Sequence, residues 1–206
     1  MQVLLILAHP QEGSFNHALA RAAADRLTAN GHGVVVHDLY REGFDPVLPG
    51  DEIARGAALP PLIARHCAEI AAADGIVIVH PNWWGMPPAI LTGWVDRIVR
   101  PGVAYEFLEG DSGEGVPRGL LKARVALVLN TSNTVAAREQ SVFGDPLERI
   151  WKDCVFGLCG VSRCERRMFG VVATSSPAQR AGWLAEAAGM VDGCFPRTSE
   201  SCLGKH

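Results

Sequence analysis

The 206 residues carry 48% hydrophobic and 20% charged side chains, with a formal net charge of −3. That balance excludes a disordered or fibrous chain and fits one ordinary α/β domain. The broad basic footprint of a nucleic-acid binder is missing, and no apolar stretch reaches the ~18 residues of a membrane span.

Val3 to Ala8 is a continuous apolar run that stops at His9-Pro10. It has no basic leader and no small-residue cleavage site, so it is read as a first strand, and the protein is expected in the cytoplasm. Phe15, Ala18, Leu19 and Ala22 follow helical spacing, with Gly31 as the stop. Val34 to Val36 is a second strand and Leu62 to Ala73 a second helix. Ile76 to Val79 is a third strand. Pro87-Pro88 then opens a helix carrying Leu91, Trp94, Val95 and Ile98. Glu109 to Gly119 is polar and glycine-rich, and is expected as a surface loop. Val125 to Leu129 is a fourth strand. Leu147, Ile150, Trp151, Cys154 and Leu158 make another helical stripe. Asp145-Pro146-Leu147-Glu148 offers it an N-cap, a proline at the first helical position and a capping-box glutamate. Val171 to Ala173 is the expected fifth strand. Ser176-Pro177-Ala178-Gln179 repeats the start signal before a last helix through Leu184, Ala187, Ala188 and Val191. A single domain, 1–196, is expected, with 197–206 as a loose tail.

Apolar runs without alternation suit strands covered on both faces. Alternating strands and helices with right-handed crossovers predict a doubly wound α/β protein. Five strands of this length favour the flavodoxin-like three-layer sandwich, parallel order 2-1-3-4-5 with helices on both faces. The cysteines, Cys67, Cys154, Cys159, Cys164, Cys194 and Cys202, form no C-x-x-C pair and are expected as buried thiols, with no metal site. Arg163, Arg166 and Arg167 are expected on a solvated face.

In this topology a ligand lies outside the carboxyl ends of the strands, where strand order reverses. That joins the loops after the first, third and fourth strands. The first, from His9 through Ser14, Phe15 and Asn16, ends at a helix N-terminus suited to a phosphate. Plain N-capping by Ser14 competes with that reading. The second holds Pro81, Asn82, Trp83, Trp84 and Gly85. Two adjacent tryptophans in a short turn cannot easily both point inward, which suggests a flat ligand against them. The third, Asn130 to Thr134 with Thr131, Ser132 and Asn133, can hydrogen-bond a polar ring edge. A phosphate end, a flat ring and a polar edge together describe a flavin.

The stretches "LAHPQEGSFNHAL", "ADGIVIVHPNWWGMPPAILTGWVDRI" and "NTSN…FGDPLERIWKDCVFGLCGV" resemble the flavodoxin-like NAD(P)H quinone oxidoreductase family, which includes quinone reductases and ancillary flavoproteins of potassium efflux systems. The resemblance runs from residue 2 to about 195. It implies a homodimer binding FMN or FAD, with hydride passing from NAD(P)H through the flavin to a quinone or similar acceptor, in ping-pong order. A flavin-bound regulatory subunit of a cation efflux transporter is the alternative. By motif position, His9, Ser14, Phe15 and Asn16 hold the phosphate and ribityl chain. Pro81 to Gly85 face the ring, and Thr131 to Asn133 contact its polar edge. Tyr105 and Phe107 match positions that cover the cleft, from the same or the partner subunit. The short connection from Leu39 to Asp74 tilts the choice toward FMN. The third loop has Asn-Thr-Ser-Asn where relatives often have Thr-Thr-Gly-Gly, and two further positions depart from the family. Where relatives carry a tyrosine and a histidine for charge relay, this chain has about Ala137 and Phe143, with Arg138, Glu139 and Gln140 as the nearest groups able to substitute.

Overall fold

The computed structural model describes residues 1–108, 110 and 115–197. In chain order it holds β1 (Gln2–Leu7), α1 (Phe15–Ala29), β2 (Gly33–Asp38), a single 3-10 turn (Gly50–Glu52), α2 (Pro61–Ala72), β3 (Gly75–Pro81) and α3 (Ala89–Ile98). A two-residue pair follows, β4 (Tyr105–Glu106) and β5 (Arg118–Gly119). Then come β6 (Val125–Ser132), α4 (Ala136–Phe143), α5 (Pro146–Arg149) running on as a π-helical stretch (Ile150–Gly157), β7 (Arg163–Gly170) and α6 (Pro177–Cys194).

Five strands form one parallel sheet in the order β2-β1-β3-β6-β7, which is the flavodoxin-like order expected. The register is continuous: Val3 lies between Val34 and Gly75, and Gly75 pairs with Val125. Successive side chains of the three central strands feed opposite layers. Leu4, Ile6, Ile76, Ile78, Ala126 and Val128 pack toward α2, α3 and the π-helical stretch. Val3, Leu5, Leu7, Val77, Val79 and Leu127 pack toward α1 and α6. Burial on both faces is why these strands read as unbroken apolar runs.

The fifth strand lies earlier than Val171 to Ala173. It is Arg163–Gly170, whose sequence RCERRMFG carries charges that a central strand would exclude. An edge strand has one solvated margin and tolerates them. The basic cluster also departs from a solvated face, because the Arg166 side chain is 3% exposed and paired to Asp145 and Glu148. Asp145 therefore does not cap the next helix. It sits in the left-handed region at φ 46 with its carboxylate on Arg166, while Glu148 pairs with Arg166 and Lys152. At the other predicted starts, Ser14 and Ser176 do accept the third backbone N–H beyond them.

The stripe from Leu147 also shifts. The wider π turn takes the buried series from Trp151 to Phe156 and leaves Cys154 exposed. Cys67, Cys159 and Cys194 are buried, and Cys202 lies outside the described residues. Burial pushes the Cys159 thiol up to about 11 and Cys164 up to about 12, so both stay protonated and inert at neutral pH. The Glu109–Gly119 excursion falls partly outside the described residues, and its described end, β5, pairs antiparallel with β4. The expected tail is likewise undescribed beyond Arg197. No described helix is long and apolar enough to cross a membrane.

Candidate functional site

Strand order reverses between β1 and β3, and the loops leaving β1, β3 and β6 meet above the sheet. They enclose a cleft of about 770 Å³, within the range of small-molecule and cofactor pockets. His9, Ser14, Phe15 and Asn16 line it from the first loop. Pro81, Asn82, Trp83, Trp84 and Gly85 line it from the second, and Thr131, Ser132 and Asn133 from the third. Asn130 does not line it; it is fully buried beneath, with its Oδ1 accepting from Arg166 at 2.6 Å. Tyr105 and Phe107 do not line the cleft of their own chain. Their rings meet edge to face at 5.9 Å on and just beyond β4.

The first loop brings the N-terminus of the 15-residue α1 to the cleft, with unpaired N–H groups and the positive end of its dipole. His9 is bonded locally, its Nδ1 accepting from the Gln11 N–H at 3.1 Å. Burial holds its pKa below the ordinary value, and nearby His17 lowers it further, so His9 brings no charge at neutral pH. Asn16, 2% exposed, has its amide on Thr131 Oγ1 at 3.0 Å. It ties the first loop to the third with one of its two amide N–H groups.

The second loop is a tight turn. Trp83 and Met86 exchange backbone hydrogen bonds at 3.1 and 3.0 Å. The two residues between them, Trp84 and Gly85, have φ of 59° and 73°. Two left-handed residues in sequence are the signature of a type I′ turn. At Gly85 the backbone is forced, and a Cβ would also stand 3.1 Å from Pro146 Cγ. Trp84 is 96% exposed and Trp83 41%. Neither indole is core, so an apolar wall stands open to the cleft. Asn82 steadies the turn. Its Oδ1 accepts from Gly85 N–H, and its Nδ2 donates to Glu139 Oε1, both at 2.9 Å.

The third loop is more internally bonded than its composition suggests. Ser132 Oγ accepts from Thr134 N–H at 3.0 Å, and Asn133 Oδ1 from Ala173 N–H at 2.9 Å. Asn133 thereby holds Val172 and Ala173 at the cleft wall, so the stretch expected as the fifth strand lines the site instead.

The far wall comes from α4. Arg138, Glu139 and Phe143 line the cleft, and Arg138 lies over the Phe143 ring at 5.7 Å. Gln140 does not reach it. Ala137 is exposed, so of the two family relay positions only Phe143 faces the cleft, and it carries no proton. Sequence reasoning missed this helix. The signal present was the strong helix formers in Ala136-Ala137-Arg138-Glu139-Gln140.

A second cluster lies away from the cleft. His37, Glu42 and His66 place candidate ligand atoms within 4.8 Å of one another. The Trp94 indole N–H, a donor only, bonds His66 Nδ1 at 2.9 Å. The His66 proton therefore sits on Nε2, 3.3 Å from Glu42 Oε2, leaving no lone pair for a metal.

A family model described as a flavodoxin-like fold matches residues 1–190. The chain belongs to the flavodoxin-like NAD(P)H quinone oxidoreductase family. Among members of this flavodoxin-like family, it is similar to an uncharacterized NAD(P)H oxidoreductase of Haemophilus influenzae, 32% identical over 174 residues that cover 82% of this chain and 84% of that one. A solved NAD(P)H:quinone oxidoreductase from Methanothermobacter marburgensis superposes with a TM-score of 0.77 at 25% identity, covering 93% of this chain and 95% of that one. An FMN-dependent NADH-azoreductase from Bacillus anthracis, solved in complex with FMN, superposes at 0.68 and 16% identity over 93% and 96% of the two chains. That last likeness is one of fold.

Proposed function

We propose that the protein is an NAD(P)H-dependent flavin oxidoreductase that reduces a quinone or similar aromatic acceptor, with FMN as its flavin. The observation that carries this reading is the convergence, at the point of strand reversal, of a helix N-terminus, an exposed two-tryptophan turn and a polar strand end around one cleft. The names of the Haemophilus and Methanothermobacter relatives support the reaction class.

The residues fit the cofactor. The α1 N-terminus and Ser14 offer donors to a phosphate, and among the described residues lining the cleft the one acidic group, Glu139, belongs to α4. The Trp83–Gly85 turn gives the ring an apolar wall held in place by Asn82 and Glu139. Thr131 to Asn133 face its polar edge. The short β2–β3 connection favours FMN over FAD. When bound, a flavin supplies the ring that takes a hydride from the nicotinamide and passes it to the acceptor. The chain's part is to orient the two reactants and keep water out. Nicotinamide and acceptor use the same open side in turn, which makes the kinetics ping-pong. With Ala137 and Phe143 at the relay positions, hydride transfer from the nicotinamide persists, because it needs orientation above all, and quinone turnover is the slower half. Tyr105 and Phe107 close the cleft of a second copy, making the working form a homodimer.

The test is the visible spectrum of the purified protein with added FMN, then NADPH or NADH without oxygen. Retained flavin that bleaches, with parallel double-reciprocal lines against a quinone, is the expected result. A protein that holds no flavin overturns the assignment.

A further inference from the structure

Ser14 is bonded to a side chain that stands behind the cleft wall. His17, in the first turn of α1, holds Nδ1 2.8 Å from Ser14 Oγ and Nε2 3.2 Å from Asp38 Oδ2, at the end of β2. The chain Ser14–His17–Asp38 thus runs from the phosphate end of the cleft down to the sheet. Both partners are screened from solvent, with side-chain exposures of 16% for His17 and 18% for Asp38. The other groups around the ring are few. His9 stands edge-on at 6.2 Å from the first loop. Arg21 and Asp25, further along α1, line a shallow depression with His17, and Leu184, the residue of α6 that reaches it, is uncharged.

The protons of this chain can be counted. Asp38 accepts from Nε2 whether the ring is neutral or charged. With the ring neutral, Nδ1 is a lone pair, and only the Ser14 hydroxyl proton can fill the 2.8 Å contact. That turns the hydroxyl proton away from the cleft. Its oxygen meanwhile accepts from the His17 backbone N–H at 3.4 Å. A phosphate dianion, which brings acceptors only, then meets lone pairs on Ser14. With the ring protonated, Nδ1–H donates to Ser14 Oγ and the hydroxyl proton is free to donate into the cleft. The same proton places a positive charge behind the phosphate. His9 does not supply that charge, since burial keeps it neutral.

We propose that His17 is a positioning residue that couples binding of the flavin phosphate to uptake of one proton, through the orientation of the Ser14 hydroxyl. The coupling rests on the flavin reading of the cleft and extends it to one residue of α1.

Titration calorimetry with FMN and with riboflavin, which lacks the phosphate, separates the two. The range from about pH 7 to about pH 9 lies above the second ionisation of a phosphate monoester, near ~6, so the phosphate stays a dianion throughout. Over it, FMN affinity relative to riboflavin falls roughly tenfold, the size of one lost charge-assisted bond. In two buffers of different ionisation enthalpy, FMN binding takes up a fraction of a proton within that range, at most about half of one for a tenfold coupling, and riboflavin binding none. His17→Gln flattens the profile and abolishes the uptake, and Ser14→Ala reduces both, because part of the coupling passes through its hydroxyl and the rest through the charge on the ring. Wild-type protein that binds FMN with no proton uptake, or a His17→Gln profile as steep as the wild type's, overturns the role of His17 and leaves the flavin reading standing. A chain that binds neither flavin overturns both.

Discussion

Trp84 is a bulky side chain in a backbone conformation that Asn or Gly normally takes. Its φ of 59° costs on the order of 1 kcal/mol relative to a residue suited to the left-handed region. Trp84→Asn yields the favoured Asn-Gly pair of a type I′ turn. It is expected to raise the urea midpoint by the equivalent of up to about 1 kcal/mol and to weaken FMN several-fold; a change in neither would remove the turn from the site. Glu139 is the complementary case. It is 2% exposed and its Oε1 takes the Asn82 amide. Glu139→Ala leaves that amide unpaired and loosens the turn, so flavin affinity is expected to fall roughly tenfold, with fluorinated-tryptophan NMR showing broadened Trp83 and Trp84 signals. The tryptophans were legible because two adjacent indoles in a short turn have no common interior. Glu139 was not, because its burial depends on a partner 57 residues earlier, and nothing local marks it.

At the scale of elements, the connection between β2 and α2 is pinned to α3 and the turn after it by two buried arginines. Arg97 grips Glu52 through two contacts, at 3.1 and 2.5 Å, and also donates to the Asp45 carbonyl at 2.6 Å. Arg100 donates to the Glu52 and Ala54 carbonyls. Arg97→Ala strands the Glu52 carboxylate in the interior and is expected to cost about 3–5 kcal/mol by denaturant unfolding. The same connection crosses α3 at Gly93, where an added Cβ would lie 2.1 Å from the Pro46 carbonyl oxygen. Gly93→Ala must displace backbone, and is expected to cost at least ~1–3 kcal/mol despite alanine's better helix propensity. A stable Gly93→Ala protein would contradict that close approach. The central strands were legible because burial on both faces leaves only apolar residues. The edge strand β7 was not, since one open margin admits Arg163, Glu165 and Arg167 and erases the signal. The π turn was hidden for a related reason: its five-residue step puts Phe156 where a 3.6-residue period puts Cys154.

For the molecule as a whole, acid stability follows from two buried histidines. Each accepts an indole N–H: His80 Nε2 from Trp151 at 3.0 Å, and His66 Nδ1 from Trp94 at 2.9 Å. His80 donates its own proton to the Pro81 carbonyl, so the neutral ring is fully bonded. Burial, above all, lowers its pKa from 6.5 to about 4. The folded state then resists a proton that the unfolded chain accepts. Stability is present in full above about 6.5 and is lost as pH falls toward about 4, by roughly 3 kcal/mol for His80. His66, lowered to about 4 chiefly by burial, acts in the same direction. Urea midpoints measured across that window are expected to fall steadily, and a flat profile would place both rings in contact with water. Assembly belongs to this scale too. Trp84 and Met86 on the turn, and Val142 and Phe143 on α4, are exposed apolar side chains on the two elements that wall the cleft, and exposed apolar side chains grouped together suit a docking face. Sedimentation is expected to show a dimer, and Trp84→Asn to weaken it.

The unequal exposure of the tryptophans gives the protein an optical readout of its own. Trp94, Trp151 and Trp183 are 1%, 0% and 9% exposed, whereas Trp84 stands almost wholly in water. Emission from the buried indoles lies to the blue, and that of Trp84 to the red. A ring bound against the turn extinguishes the red component first, so occupancy of the cleft can be followed by the colour of the protein's own light, with no label attached.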